Sequence, residues 1–344
     1  MTSGADLLRV EGLRITFSVL GGEVQAVNNA NFRILPGKVT ALVGESGSGK
    51  SAISQAVMGI LPNVAKVGGK ILFNDPTTAA KPIDLLSLER EGEEIRALRG
   101  TRISKIFQEP MTSLSPLHTI GNQISEVLKI HTDAEKAERR ARTEELLGYV
   151  GFANPKRAYD MYPFELSGGM RQRAMIAMAA ICGPDLLIAD EPTTALDATI
   201  QAQILDLLSG LRRQTGMAMV FISHDLGAVS AVCDRAAVMY AGRIVESNDI
   251  DSLFAAPAHP YTQGLFRAIP DLDAGRERLR PIEGTVPDPR ALPAGCAFAP
   301  RCEGASALCH SYAPDLKDQK SGGAVACFHP VQPAFRHMTH EVTA

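Results

Sequence analysis

The stretch Val39-Thr40-Ala41-Leu42-Val43-Gly44-Glu45-Ser46-Gly47-Ser48-Gly49-Lys50-Ser51 decides the fold. Val39–Val43 is a short apolar run, the pattern of a strand buried on both faces of a parallel sheet. Gly44–Ser51 fits the pattern G-x-x-x-x-G-K-[ST], and the residues from Ala52 to about Leu61 read as a helix. Strand, glycine-rich loop and helix in that order make a phosphate cradle. Glycines let backbone N–H groups converge on phosphate oxygens, and the helix adds the positive end of its dipole. The expected cradle is Gly44, Glu45, Ser46, Gly47, Ser48, Gly49, Lys50, Ser51 and Ala52, with Lys50 on the β- and γ-phosphates and the Ser51 hydroxyl on Mg²⁺.

Working outward, Leu8–Val10, Leu13–Phe17 and Phe32–Ile34 read as short strands before the cradle. Ile103–Phe107 is another, and from about Thr119 to Val150 apolar residues recur at helical spacing among charges. Leu186–Ala189 and Met219–Ile222 read as buried strands on either side of a helical run, Ile200–Leu211. Ala237–Tyr240 and Arg243–Glu246 flank Ala241-Gly242 as a hairpin. After Ala256 prolines break up any long element, which places a domain boundary there.

Two segments narrow the chemistry. Leu186–Ala189 ends in Asp190-Glu191, two carboxylates at the carboxyl end of a strand, where ligand crevices open in parallel sheets. Asp190 suits a water-mediated hold on Mg²⁺, and Glu191 suits polarising an attacking water. In Leu166-Ser167-Gly168-Gly169-Met170-Arg171-Gln172, Ser167 can cap a helix whose glycines admit a phosphate.

In order, these pieces resemble an ATP-binding-cassette ATPase from about residue 7 to 256: phosphate loop, Gln108, LSGGMRQ at 166–172, Asp190-Glu191, a D-loop at Ala195-Leu196-Asp197, and His224 after a strand. The resemblance implies an α/β P-loop NTPase fold, a RecA-like core with an antiparallel β subdomain and a helical subdomain at about 109–180. It implies that two such domains pair head to tail, so that Ser167 and Gly169 serve the partner's ATP; Gly168 and Asp197 are further nucleotide-binding candidates. It makes Glu191 the general base, His224 the holder of the γ-phosphate, and Gln108, at the end of Ile103–Phe107, a contact for Mg²⁺ and the attacking water; Phe17 is the choice for stacking on adenine. The segment from Ala258 to Leu265 and the Q-loop stretch Phe107–Leu114 are similar to those of the oligopeptide, dipeptide and nickel importers. That likeness implies two membrane permeases, a second and related ATPase, an external solute-binding protein, and a peripheral place on the cytoplasmic face of the membrane.

Residues 257–344 carry four of the six cysteines, Cys296, Cys302, Cys309 and Cys327, separated by five, six and seventeen residues. This tail also looks like that of the importer group. The expectation is a small cysteine-rich domain with four thiolates on a [4Fe–4S] cluster; zinc, which usually has a C-x₂₋₄-C knuckle, and unliganded thiols are the alternatives. Cys182 and Cys233 lie in apolar helical stretches and read as packing residues.

Composition sets the remaining limits. The formal net charge of −3 over 344 residues gives no basic field for nucleic acid. No apolar run approaches the roughly 18 residues of a membrane span. A non-transport ATPase of the DNA-repair type remains the alternative, although only 116 residues separate Lys50 from Ser167, with no long coiled coil between them.

Overall fold

A computed structural model describes residues 6–78, 81–108, 113–194, 196–268, 282–319 and 322–331. Its centre is a sheet in which β3 (Val39–Val43) lies between β8 (Ala218–Ser223) and β9 (Arg235–Tyr240), all parallel. β7 (Leu186–Asp190) and β6 (Ile103–Ile106) extend it in parallel beyond β8. The apolar runs in β3 and β7 are explained by their two buried faces. Val39, Ala41 and Val43 face one core with Leu187 and Ala189, whereas Leu42 faces a second core with Leu186 and Ile188. On the other side of β9, β10 (Arg243–Asp249) turns back antiparallel through Ala241-Gly242, the expected hairpin.

A second, antiparallel sheet has the order β2 (Gly22–Ile34), β1 (Leu8–Val19), β4 (Ala65–Phe73) and β5 (Ile83–Asp84). β1 is one bulged strand rather than the two short ones expected: its register slips around Gly12. β4 escapes a sequence reading because Gly68-Gly69 reads as a turn. Gly69, at φ 97°, is needed there, since a Cβ would lie 2.6–2.7 Å from the carbonyls of Glu11 and Gly12.

α1 (Lys50–Val57) follows β3. α2 (Glu93–Leu98) precedes β6. The helical layer is α3 (Ile120–His131), α4 (Lys136–Tyr149), α5 (Pro155–Asp160) and α6 (Gly168–Ala180). The single helical run expected over Thr119–Val150 divides at Thr132, which is extended and whose Oγ1 donates back to the Leu128 carbonyl at 2.6 Å. α3 buries Ile120, Ile124 and Leu128 at i, i+4, i+8, and α7 (Ala198–Thr215) links β7 to β8.

α8 (Leu226–Val232) lies between β8 and β9, and after β10 come α9 (Ile250–Ala255), α10 (Pro260–Arg267) and α11 (Ala307–Ser311). The described tail forms no sheet of its own. Instead β12 (Ala324–Val325) pairs with β10 through Glu246 and Ser247, and β11 (Lys317–Asp318) lies outside it. Phe298 and Tyr261 join the main core against Tyr240, with Tyr240–Tyr261 centroids 4.6 Å apart. Among the described residues no helix is long and apolar enough to cross a membrane.

Candidate functional site

The phosphate loop leaves β3 and enters α1 at Lys50, as its sequence requires. Gly44 (φ 152°) and Gly49 (φ 102°) are fixed by backbone: a Cβ would come within 2.2 Å of the Met239 carbonyl and 2.3 Å of the Ala26 carbonyl, respectively. Gly47 (φ 77°) has open space where a Cβ would stand, leaving a cradle clear for a ligand. Lys50 Nζ curls onto the loop itself, donating to Gly44 O at 2.7 Å, Glu45 O at 3.0 Å and Ser48 Oγ at 3.3 Å. Burial pushes the Lys50 ammonium below its ordinary range, while Glu191, Asp190 and Glu45 pull it back. A cation so crowded by carbonyls and carboxylates is a ready partner for triphosphate.

Ser51 Oγ donates to Asp190 Oδ1 at 3.4 Å, which brings the two expected Mg²⁺ groups together. The other oxygen, Oδ2, is held by Ser54 Oγ at 3.2 Å and Lys105 Nζ at 2.8 Å, and Lys105 also donates to Ser54 Oγ at 2.8 Å. Sequence reasoning missed Ser54 and Lys105. Ser54 stands three residues beyond Ser51 on one helix face, a spacing that could have found it. Lys105 is a lone charge in the apolar run Ile103–Phe107; no spacing rule announces its partner 85 residues away.

Glu191 gathers the other expected residues. Its Oε2 accepts from Gln108 Nε2 at 3.1 Å and Thr194 Oγ1 at 2.9 Å, and His224 Nδ1 lies 3.3 Å from Oε1. The backbone there is left-handed, φ 49°, unusual for a residue with a Cβ. The Glu191 N–H donates to Ile222 O of β8 at 2.9 Å, pinning that turn. Strain held by the sheet aims this carboxylate out of the strand end.

The remaining expected residues lie apart. Ser167 caps α6 by accepting from the Met170 N–H at 3.3 Å, and it and Gly168 are exposed. Gly168 and Gly169 neighbour Leu196 and Ile200, not the phosphate loop. Asp197 Oδ1 caps α7 on Ile200 N at 3.0 Å; Ala195 of the expected D-loop lies outside the described residues, as do residues 109–112 of the Q-loop stretch. Phe17 is half-buried on β1, opposite Val24 and Ala65. Ala52 sits in the first turn of α1.

Cys296, Cys302, Cys309 and Cys327 all line one cavity of about 980 Å³. They are free thiols, and among the described residues no three His, Cys, Asp or Glu side chains close around a metal position. The expected four-thiolate centre therefore gains no support from this geometry. Burial pushes the Cys296, Cys302 and Cys327 thiols up, Cys327 to about 11. Cys233 is buried and Cys182 half-buried, as packing residues should be.

This arrangement, a phosphate loop facing a strand-end Asp-Glu pair with a glutamine and a histidine on the glutamate, defines an ATP-binding cassette. The model of the ABC transporter family matches residues 27–194, and that of the oligopeptide/dipeptide transporter C-terminal region matches residues 245–309. The chain is 48% identical over 322 residues to the oligopeptide transport ATP-binding protein AppD of Bacillus subtilis, covering 94% of this chain and 96% of that protein. It is 46% identical over 326 residues to the oligopeptide transport ATP-binding protein OppD of Escherichia coli, covering 95% and 94%. A solved dimeric, post-hydrolysis state of the ATP-binding cassette MJ0796 bound to ADP and Pi superposes with a TM-score of 0.62 at 25% identity, over 71% of this chain and 98% of that one. The chain belongs to the ATP-binding proteins of the ABC transporter family and is an ATP-hydrolysing enzyme.

Proposed function

We propose that this chain hydrolyses ATP to power uptake of peptides or related small solutes through partner permeases. One observation carries the chemistry: the Glu191 carboxylate, gathered at the end of β7 by Gln108, Thr194 and His224. MgATP is the substrate. Its phosphates lie along Gly44–Ala52, and Lys50 leaves the Gly44 and Glu45 carbonyls to meet the β- and γ-phosphates. Ser51 and Gln108 hold the magnesium, and Asp190 holds it through water. Water attacks the γ-phosphorus in line, Glu191 takes its proton, and the bond to the β–γ bridging oxygen breaks with its electron pair leaving on ADP. His224 steadies the γ-phosphate, and Phe17 stacks on adenine.

Ser167 and Gly169 act on the ATP of a second subunit, with Gly168 and Asp197 as nucleotide-binding residues beside them. Their exposed position beside Leu196 and Ile200, away from the loop of their own chain, favours this, and the similar cassette MJ0796 was solved as a dimer with ADP and Pi. Two permeases, a related but distinct second ATPase and an external solute-binding protein complete the assembly, which places the chain peripherally on the cytoplasmic face of the membrane. The oligopeptide roles in the names of the relatives and the C-terminal match support this set. So does the helical layer, where Leu117, Ile130 and Phe164 are exposed and free to receive a permease helix. Residues 1–256 form the ATPase unit, with a helical subdomain at about 109–180, and 257–344 an appended cysteine-bearing unit. The DNA-repair alternative leaves the C-terminal match unexplained.

Reconstitution tests the transport role. Peptide-loaded binding protein should stimulate ATP hydrolysis by the chain with its permeases in liposomes and drive peptide inward; hydrolysis indifferent to peptide would overturn it. The four cysteines are, in the same proposal, ligands of a [4Fe–4S] cluster, supported by their identity and shared cavity. Anaerobically purified protein should carry iron and acid-labile sulfide with a visible absorption band; one zinc per chain without iron would refute this.

A further inference from the structure

Glu45, the first variable residue of the phosphate loop, is held on three sides. Its N–H donates to the Tyr261 hydroxyl at 2.9 Å. Its carbonyl accepts from Lys50 Nζ at 3.0 Å. Its carboxylate takes a two-point fork from Arg301, with Nη1–Oε2 at 2.8 Å and Nη2–Oε1 at 3.2 Å. Two of these three holds come from residues far downstream of the 27–194 match to the ABC transporter family.

Arg301 is built for this post. Its side chain is 4% exposed. The rest of its guanidinium is spent on the Glu283 carbonyl at 2.9 Å, the Ile282 carbonyl at 3.1 Å and the Tyr240 hydroxyl at 3.3 Å. It lies five residues after Cys296 and directly before Cys302. Tyr261 is fully buried, its ring packed at a tilt against Tyr240 and Phe298. Backbone carbonyls and aromatic rings therefore fix the fork before it reaches the loop, and a planar fork on a carboxylate sets both distance and angle.

We propose that Arg301, with Tyr261, is a positioning residue for nucleotide: the C-terminal segment grips the phosphate loop from behind and sets its affinity for triphosphate. Two effects act in one direction. The grip fixes the start of the loop, so less ordering remains to be done when phosphate binds. The Arg301 charge also cancels Glu45, which otherwise competes with phosphate for Lys50 and repels it. This inference rests on the nucleotide site proposed above, and it makes the tail a determinant of that site rather than a passenger.

The test uses the full-length chain and a fluorescent ATP analogue with Mg²⁺, read as Kd, together with KM and kcat for hydrolysis. Arg301→Gln should weaken Kd and raise KM about tenfold, equal to about 1.4 kcal/mol, with kcat changed far less. Tyr261→Phe, which keeps the ring, should weaken Kd by roughly threefold, the loss of one neutral hydrogen bond. A charge-coupled role predicts that Arg301→Gln matters much less when Glu45 is already Gln, whereas a merely structural Arg301 costs the same in both backgrounds. Arg301→Lys should rescue only part of the loss, since an ammonium cannot fork. Equal Kd values for wild type and both variants, or an Arg301→Gln effect independent of Glu45, would overturn the proposal. Wild-type protein that fails to bind the analogue at all would instead overturn the nucleotide site itself.

Discussion

Replacing Lys105 with methionine probes the part of the site that no motif announces. The Lys105 ammonium lies 2.8 Å from Asp190 Oδ2, with the two side chains 4% and 2% exposed. Methionine keeps the length of the stem and removes the charge. Asp190 then loses its direct ion pair and keeps the Ser51 and Ser54 hydroxyls and the field of Lys50. Removing one member of a buried pair costs about 3–5 kcal/mol, because the other charge remains uncompensated. For a protein of this size that lowers the midpoint of thermal unfolding on the order of 10 °C. The nucleotide-free protein should show this full deficit in a fluorescence melt. With MgATP bound, the magnesium beside Asp190 supplies positive charge again, and the gap between Lys105→Met and wild type should shrink by roughly half or more. Equal gaps with and without MgATP would refute the idea that lysine and magnesium balance the same carboxylate. No gap in either state would refute the energetic weight given to the pair.

Glu191→Gln should keep nucleotide binding and lose about 10²–10⁴-fold in steady-state hydrolysis; unchanged turnover would remove Glu191 as the base. Lys50→Ala should lose affinity for a fluorescent ATP analogue, and retained affinity would move phosphate binding away from the loop. Burial holds His259 well below its usual range, at about 4, and its ring accepts from the Tyr261 N–H at 3.0 Å. The unfolded chain therefore takes up that proton first, so this contribution to stability is complete above pH 6.5 and is lost between pH 6.5 and about 4, by roughly 3 kcal/mol. Chemical denaturation across that window should show the loss, and His259→Asn, which can still cap α10, should flatten it; an unchanged slope would assign the loss elsewhere.

The nucleotide site was legible where its chemistry is local. Glycine spacing, a lysine and a hydroxyl must lie together in sequence to make a cradle, and Asp190-Glu191 must end a strand. Gln108 and His224, which both meet Glu191 in the structure, were found through the family resemblance. Lys105 and Arg301 were not, because their partners are set by sheet order and by packing of the tail. Arg301 meets Glu45 across 256 residues, and nothing in either segment encodes the other. β4 was hidden by glycines required for a close backbone crossing, and the break at Thr132 by a side chain bonding back to its own helix. The four cysteines line one cavity, but how its wall spaces them is not encoded by their separation in sequence.

The short pairing of β12 with β10 bears on how the protein can be cut. Glu246 and Ser247 take Val325 and Ala324 as neighbours, and this small patch shields the rim of the central sheet. A fragment ending near Ala256 loses that cover and Phe298 from the core together. It presents a bare row of amides and carbonyls to the next copy, and clumping rather than clean unfolding is the fate to expect of it.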